Sequence, residues 1–275
     1  MNELPLVSVV IPTKNSSEFL EECLWSAKNQ TYGNLEVIVV DNFSTDKTLE
    51  IAAGYAHKYY KKGPERSAQR NFGAKKCGGK YVLFIDSDMK LDRNVVASCV
   101  EKIEADGEIK AIIIPEESFG VGFWARCKKL EKSFYVGVDW MEGARFFRKK
   151  SFEEAGGYDE SMVSGEDWDL SQRIGKDGRI GRVSELIHHN EGKVRLAGTV
   201  AKKFYYAKEF GKYLRKEANK NNIRRQAGVV DRYKLFLSRP EKLFADPAAA
   251  LGMLFMKTCE FGFGAIGFLL NKYLK

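Results

Sequence analysis

Tyr81-Val-Leu-Phe-Ile-Asp86-Ser-Asp88 decides the fold: five apolar, strand-favouring residues stop abruptly at two carboxylates one residue apart. A run that is apolar at every position, rather than at alternate ones, predicts a strand buried on both faces of a helix-covered, mostly parallel sheet. Ligands of such open α/β sheets bind off the carboxyl ends of the strands, which is where Asp86 and Asp88 would stand. Two carboxylates held together repel. The pair is favourable chiefly when a hard divalent cation, Mg2+ or Mn2+, shares them with substrate phosphates.

Residues 6–115 around this strand alternate apolar runs with amphipathic segments. Val7–Ile11 and Leu35–Val40 predict strands, and Ser17–Ala27 predicts a helix through Phe19, Leu20, Cys23, Leu24 and Ala27. Thr45–Tyr55 predicts a second helix opened by Ser44 or Thr45 as N-cap, followed by helices over Ser67–Lys76 and Arg93–Ala105 and a fourth strand over Ile109–Ile114. This βαβα order predicts a doubly wound α/β domain. Past residue 115 the spacing predicts a helix over Phe119–Tyr135 with aromatic and basic faces, a short strand over Gly143–Phe147, a helix opened by Gly165-Glu-Asp-Trp-Asp-Leu170, and a strand near Leu186–His189.

Composition narrows the function classes. The chain has 275 residues, 44% of them hydrophobic, as a globular protein requires. Its five cysteines are odd in number, scattered and without a CxxC pair, which excludes a disulfide framework or zinc ribbon and suits a reducing compartment. The start of the chain has neither a basic segment nor a long apolar one, so no signal peptide is expected. Net charge is +8, but Lys193–Arg239 alone carries fourteen Lys/Arg against three acids, an excess of +11 that leaves the remainder near −3. Such a regional charge suits anionic lipid, a phosphorylated acceptor or nucleic acid. No helix-turn-helix, zinc-finger or RNA-recognition signature accompanies it, and nucleic acid is not the expected partner.

From Leu196 the chain reads as a basic amphipathic helix with Val200, Phe204, Ala207, Phe210 and Leu214 on one face, a pattern that suits a membrane surface. Two apolar runs follow, Ala248–Met256 and Phe261–Leu270, parted by Lys257-Thr-Cys-Glu260. Charges at the centre of a span are costly, so an interfacial or re-entrant hairpin is expected in place of one clean span. The chain thus divides at sequence level into residues 1–195, a catalytic domain, and residues 196–275, a helical membrane-associating region, placing the protein at the cytoplasmic face of a membrane.

Four further blocks surround the two acids. Val10-Ile-Pro-Thr-Lys-Asn15 puts a polar loop at the end of the first strand, and Val39-Val-Asp-Asn-Phe-Ser-Thr-Asp46 ends the second with Asp41. Glu65-Arg-Ser-Ala-Gln-Arg70-Asn71-Phe-Gly-Ala offers cationic and amide donors suited to a diphosphate. Gly165-Glu166-Asp167-Trp168 sets paired acids at a helix start, where the dipole favours ionised carboxylates, followed by a ring able to pack on a sugar. His188 and His189 are adjacent on a predicted strand and would point to opposite faces, so one at most reaches a metal.

In this order the blocks resemble the family 2 inverting glycosyltransferases of the GT-A fold over about residues 6–195. Arg70-Asn-Phe-Gly-Ala is similar to that family's Arg-Asn-x-Gly helix, Asp86-Ser-Asp88 to its DxD, Gly165-Glu-Asp167 to its ED motif, and Gly156-Gly-Tyr-Asp-Glu160 to the segment usually found just before it. The resemblance implies that Pro12, Thr13, Asn15 and Asp41 hold the nucleoside of a nucleotide-diphosphate sugar and that Asp86 contacts ribose or sugar. It also implies that Arg70 steadies the diphosphate, that Asp88 and a C-terminal histidine, His189 by its His-x-Glu-Gly setting, bind Mn2+ or Mg2+, and that Asp167 is the catalytic base, with Glu166 and Trp168 near acceptor or sugar. Asn42 departs from the pattern, since many members carry a second acid there. No Gln-x-x-Arg-Trp follows, which disfavours processive synthesis. The expected reaction is metal-dependent transfer from GDP-mannose or a UDP-sugar to a hydroxyl or phosphate of a polyprenyl-phosphate or other lipid-linked acceptor. A nucleotidyltransferase acting on sugar phosphates is the alternative, weakened by the lack of a Gly-rich cationic loop after the first strand.

Overall fold

A computed structural model describes residues 3–216 and 220–273. The chain runs β1 (Val7–Thr13), α1 (Leu20–Lys28), β2 (Leu35–Asp41), α2 (Thr48–Tyr55), β3 (Lys58–Lys61), α3 (Arg66–Lys76), β4 (Tyr81–Phe84), β5 (Met89–Leu91), α4 (Val95–Glu104) and β6 (Ile109–Ile113). It continues with β7 (Glu116–Val121), α5 (Phe123–Ser133), β8 (Phe146–Arg148), α6 (Lys149–Glu154), α7 (Glu166–Ile174), β9 (Arg179–Arg182) and β10 (Ile187–Lys193). Helices follow: α8 (Leu196–Leu214), α9 (Lys220–Ala227), α10 (Val229–Leu237), α11 (Pro240–Ala245) and α12 (Pro247–Tyr273). Two compact units result. The first takes the chain up to Glu116 with Gly143–Ser161 and Leu170–His189; the second takes Glu117–Glu142, Met162–Asp169 and the chain from Asn190. The sequence-level boundary at residue 195 falls inside the second.

The first unit is an α/β layer structure around a seven-stranded sheet of order β3-β2-β1-β4-β8-β6-β9. Strands β3, β2, β1 and β4 are parallel, β8 is antiparallel to β4 and β6, and β6 is parallel to β9. Alternate residues serve two cores, as the continuous apolar runs predict. Val7, Val9, Ile11, Val37, Val39 and Leu83 face one layer with Leu20, Leu24 and Val96, while Val10, Ile38, Val40, Val82 and Phe84 face the other with Ala74, Phe152 and Tyr158. Each of the buried Val, Leu, Ile and Phe side chains among them contributes about 1.5–3 kcal/mol. Strand order reverses between β1 and β4, and the crevice at that reversal is the ligand position of open α/β sheets.

Two expectations change here. Helix α2 starts at Thr48, not Thr45, because the Ser44 amide and hydroxyl are recruited by the Asp41 carboxylate and Phe43 takes φ +51°, which keeps this stretch a loop. The helix expected over Phe119–Tyr135 forms as α5 over Phe123–Ser133, while its first residues belong to β7, which Gly122 at φ +92° separates from the helix. Strands such as β3 (Lys-Tyr-Tyr-Lys) and β9 (Arg-Ile-Gly-Arg) have no apolar run to announce them. Within the first unit β5 also pairs antiparallel with the start of β10.

The second unit is helical, with α12 packed on α8 and α5. The hairpin predicted at Lys257–Glu260 does not form; α12 is one uninterrupted helix. The reason is neutralisation. Lys257 and Glu260 share the packed face with Ala249, Met253 and Met256, and Lys257 Nζ lies 2.5 Å from both Glu131 Oε1 and Glu260 Oε2. Lys128 Nζ adds contacts to Glu131 at 2.9 Å and Glu260 at 3.4 Å. Leu251, Phe255, Ile266 and Leu269 are exposed on the other face of α12.

Candidate active site

The ends of β1 and β2 form one stitched rim. Thr13 and Asp41 are register partners at the last positions of their strands, and both are buried. Thr13 Oγ1 donates to Asp41 Oδ1 at 2.9 Å and the Ser44 amide donates to Oδ2 at 2.8 Å. Asn15, at φ +48°, accepts from the Thr45 amide at 2.9 Å, and its own amide donates to Ser44 Oγ at 2.8 Å. Lys14 Nζ donates to the Asn42 carbonyl at 2.6 Å. Pro12 is buried in β1 just before this rim. With both Asp41 oxygens engaged by the protein, its first effect is to fix the two loops that border the crevice.

Asp86, at the tip of β4, is clamped. Arg70 Nη2 lies 2.6 Å from its Oδ1 and Arg145 Nη2 3.7 Å from its Oδ2. Burial alone would raise this carboxyl, but Arg70 and Arg145, with Arg66 beyond them, hold it well below the usual carboxylate range. Asp86 is therefore ionised at any physiological pH. The sequence explains the clamp. Gly73 lets α3 press against β1, since a Cβ there would stand 2.4 Å from Val10 Cγ1, and this brings Arg70 to the strand tip. Asn71 binds the Tyr158 main chain through both ends of its amide, at 2.8 and 2.9 Å, and Tyr158 lies beneath the Arg70 guanidinium at 5.1 Å. Two motifs distant in sequence thus serve one cation. The Arg70 side chain is fully enclosed, so it acts on a ligand through Asp86 and by its field, not by direct contact. Arg145 is absent from the sequence-derived set. Its signal is faint: a lone cation directly before Phe146-Phe147, carried to Asp86 by the antiparallel pairing of β8 with β4.

Asp88 leads into β5, which β10 covers with His189 opposite Met89 and His188 opposite Lys90. The two histidines part as the strand pleat requires. His188 Nε2 meets Asp92 Oδ1 at 2.9 Å, whereas His189 Nε2 lies 3.3 Å from Asp88 Oδ2. Asp88 Oδ1 is buried with no hydrogen-bond partner among the described residues. No cluster of three or more His, Cys, Asp or Glu with metal-ligating geometry occurs among the described residues. The pair nevertheless fits a divalent cation of the Mg2+ or Mn2+ class, which takes one or two carboxylates and leaves its other positions to substrate phosphates and water. The unsatisfied carboxylate oxygen beside an imidazole is the observation that supports this fit.

Helix α7 opens in the second unit. Its first-turn acids differ in access: Glu166 and Asp169 are buried, while Asp167 is partly exposed. Trp168 is tied down by its indole N–H, which donates to the Met141 carbonyl at 3.0 Å, and its ring lies 5.9 Å from Tyr213. Gly165 precedes the helix at φ +80°, where a Cβ would come within 2.9 Å of the Tyr213 ring, so the chain can enter α7 at this angle only with glycine.

Residues 8–156 match the family described as glycosyl transferase family 2. An uncharacterized glycosyltransferase of Haemophilus influenzae is 36% identical over 94 residues, covering 31% of this chain and 37% of the relative. Chondroitin synthase of Escherichia coli is 23% identical over 200 residues, covering 69% of this chain and 29% of the relative. The chain spans well under half the length of either. Among solved structures, mannosyltransferase PcManGT from Pyrobaculum calidifontis, in complex with GDP-Man and Mn2+, superposes with a TM-score of 0.65 over 98% of this chain and 89% of its own at 18% identity. S. aureus TarS 1–349 in complex with UDP-GlcNAc gives 0.54 over 97% and 91%, also at 18% identity. Both likenesses concern the fold. The family match runs from β1 to the end of α6, over more than half of the chain, and makes this protein a member of glycosyl transferase family 2.

Proposed function

We propose that the protein transfers a sugar from a nucleoside-diphosphate donor to a hydroxyl of a lipid-linked acceptor, with inversion at the anomeric carbon and with Mn2+ or Mg2+ held by Asp88 and His189. The observation that carries this reading is the strand tip itself: an ionised Asp86 clamped by two arginines, next to an Asp88 oxygen that is buried without a partner among the described residues. The rim of Pro12, Thr13, Asn15 and Asp41 borders the nucleoside. When bound, a divalent cation neutralises diphosphate charge and makes the nucleotide a better leaving group. Asp167 takes the proton of the acceptor hydroxyl as that oxygen bonds to the anomeric carbon, while the carbon–oxygen bond to the diphosphate breaks and its electron pair leaves with the nucleotide. A base is needed only for a hydroxyl, since an ionised phosphate has no proton to give up; hence the choice of nucleophile.

GDP-mannose and UDP-sugars are the donors to compare, because neighbours in fold bind one of each. The lipid-linked acceptor and a position at the cytoplasmic membrane face rest on the second unit. Pro247–Leu270 is long and apolar enough to cross a membrane by length and composition. Its two central charges lie on the packed face, and Leu251, Phe255, Phe263, Ile266, Leu269 and Leu270 fall in an arc of about 120° on the exposed one, a pattern for lying in the interface. Nearby Lys and Arg each add about 1 kcal/mol at an anionic surface.

Thermal unfolding with Mn2+ and each nucleotide sugar tests the donor. At 100 times its Kd the correct donor adds about 2.7 kcal/mol of stability. If no nucleotide sugar raises the unfolding temperature, the proposed activity is wrong.

A further inference from the structure

The second unit holds a cavity of about 540 Å³ between α5, α8, α10, α12 and the segment after β10. That volume is within the ~300–1,000 Å³ of small-molecule sites. Part of its wall is the closed quartet of Lys128, Glu131, Lys257 and Glu260, whose charges cancel. The rest is strongly cationic, with Lys132, Lys193, Arg195, Lys202, Lys203 and Arg232 against Glu191 alone. Arg232 is buried, and its Nε has no hydrogen-bond partner among the described residues. Lys203 is exposed, yet its ammonium is pushed down to about 8 by desolvation and by the repulsion of Lys257, with Arg232 and Lys128 adding to it. Like charges gathered on one wall repel, and an anion bound among them relieves that repulsion. Tyr206 and Trp168 complete the wall, and Trp168 directly follows Asp167 in the chain.

We infer that this cavity binds the phosphate or diphosphate group of a phosphorylated ligand, which on the proposed activity is the acceptor, held with its reactive hydroxyl toward Asp167. Cationic donors grip the phosphate oxygens and the aromatic rings take the attached organic group. Two sources share this chemistry, a lipid-linked phosphate and a free phosphate ester.

Binding to the full-length protein is measured by 31P NMR or calorimetry with hexyl phosphate and with inorganic phosphate as probes, in EDTA, which withholds the cation that the donor crevice needs and so keeps it out of the signal. Saturable binding of either probe is expected. Lys193→Gln/Lys202→Gln, two exposed positions whose change leaves the fold intact, should weaken it at least about tenfold. Lys150→Gln/Lys102→Gln, an equal loss of charge at exposed positions of the first unit, should leave it unchanged. Tighter binding of hexyl phosphate points to a lipid-linked ligand and equal binding to a free ester; both support the site. Absence of saturable binding, or equal affinities in the two double variants, overturns it. Nucleotide-sugar hydrolysis reports on the donor crevice alone, so its absence would count against the proposed activity while the phosphate measurement stands by itself.

Discussion

Asp86 in the first unit and Glu131 in the second are both carboxylates taken out of water and held by two cations. Arg70 at 2.6 Å and Arg145 at 3.7 Å hold the first; Lys257 at 2.5 Å and Lys128 at 2.9 Å hold the second. In each, burial alone would raise the carboxyl and the cations hold it well below its ordinary range. The surroundings differ. Around Glu131 the charges close: Glu260 answers Lys257 and Lys128, and Tyr135 donates its hydroxyl to Glu131. At the strand tip they close around Asp86 itself, where Glu116 answers Arg145 at 2.6 Å, and stay open at its neighbour: two residues further on, Asp88 Oδ1 is buried with no partner among the described residues. A closed cluster lets an apolar helix keep two charges; an open one is unfinished until a ligand completes it.

The largest effect should come from the proposed chemistry itself. Asp167→Asn removes the proposed base and should lower transfer by about 10³-fold or more while leaving donor affinity unchanged, as initial rates and a donor titration would reveal. Equal transfer rates in variant and parent would remove Asp167 from the mechanism.

The next effect is on stability and separates the two clusters directly. Glu131→Ala leaves Lys257 and Lys128 short of a carboxylate inside the protein and should cost about 3–5 kcal/mol in urea unfolding. Asp88→Asn gives up a charge with an unanswered oxygen and should cost no more than about 1 kcal/mol, or stabilise. A large loss for Asp88→Asn with a small one for Glu131→Ala would invert the comparison.

How far each cluster could be read in advance follows from where its parts lie in the chain. Asp86 and Asp88 end one apolar run, so strand and acids announce each other, and Arg70 travels with its own Arg-Asn-x-Gly helix. Arg145 has no such company; it reaches Asp86 only through an antiparallel pairing that the βαβα pattern does not foretell. The closed quartet leaves no local trace in the sequence, since Lys128 and Glu260 are 132 positions apart. Without Glu131 in view, Lys257 and Glu260 look like a break in an apolar segment. With it, they are the packed face of one helix. The start of α2 differs from the sequence reading for a related reason: Ser44 is a good N-cap by type, but the carboxylate of Asp41 already uses it.

The smallest effect lies at the rim of the second cluster. Lys203 is held near 8 in the folded protein against 10.5 ordinarily, so between these values the unfolded chain binds a proton that the folded chain has released. Stability then rises with pH across that window. Lys203→Gln should flatten the rise, a modest change visible in thermal melts taken at steps through the window.

The most direct test of the central claim, that the Asp88 and His189 pair is an unfinished metal site completed by a nucleotide, is a calorimetric titration of GDP or UDP into parent and Asp88→Asn protein, each with Mn2+ and with EDTA. The account predicts tight binding for the parent only with Mn2+, weakened at least about 100-fold, or ~2.7 kcal/mol, in the variant. Affinity that is the same with and without Mn2+, and the same in both proteins, would contradict it.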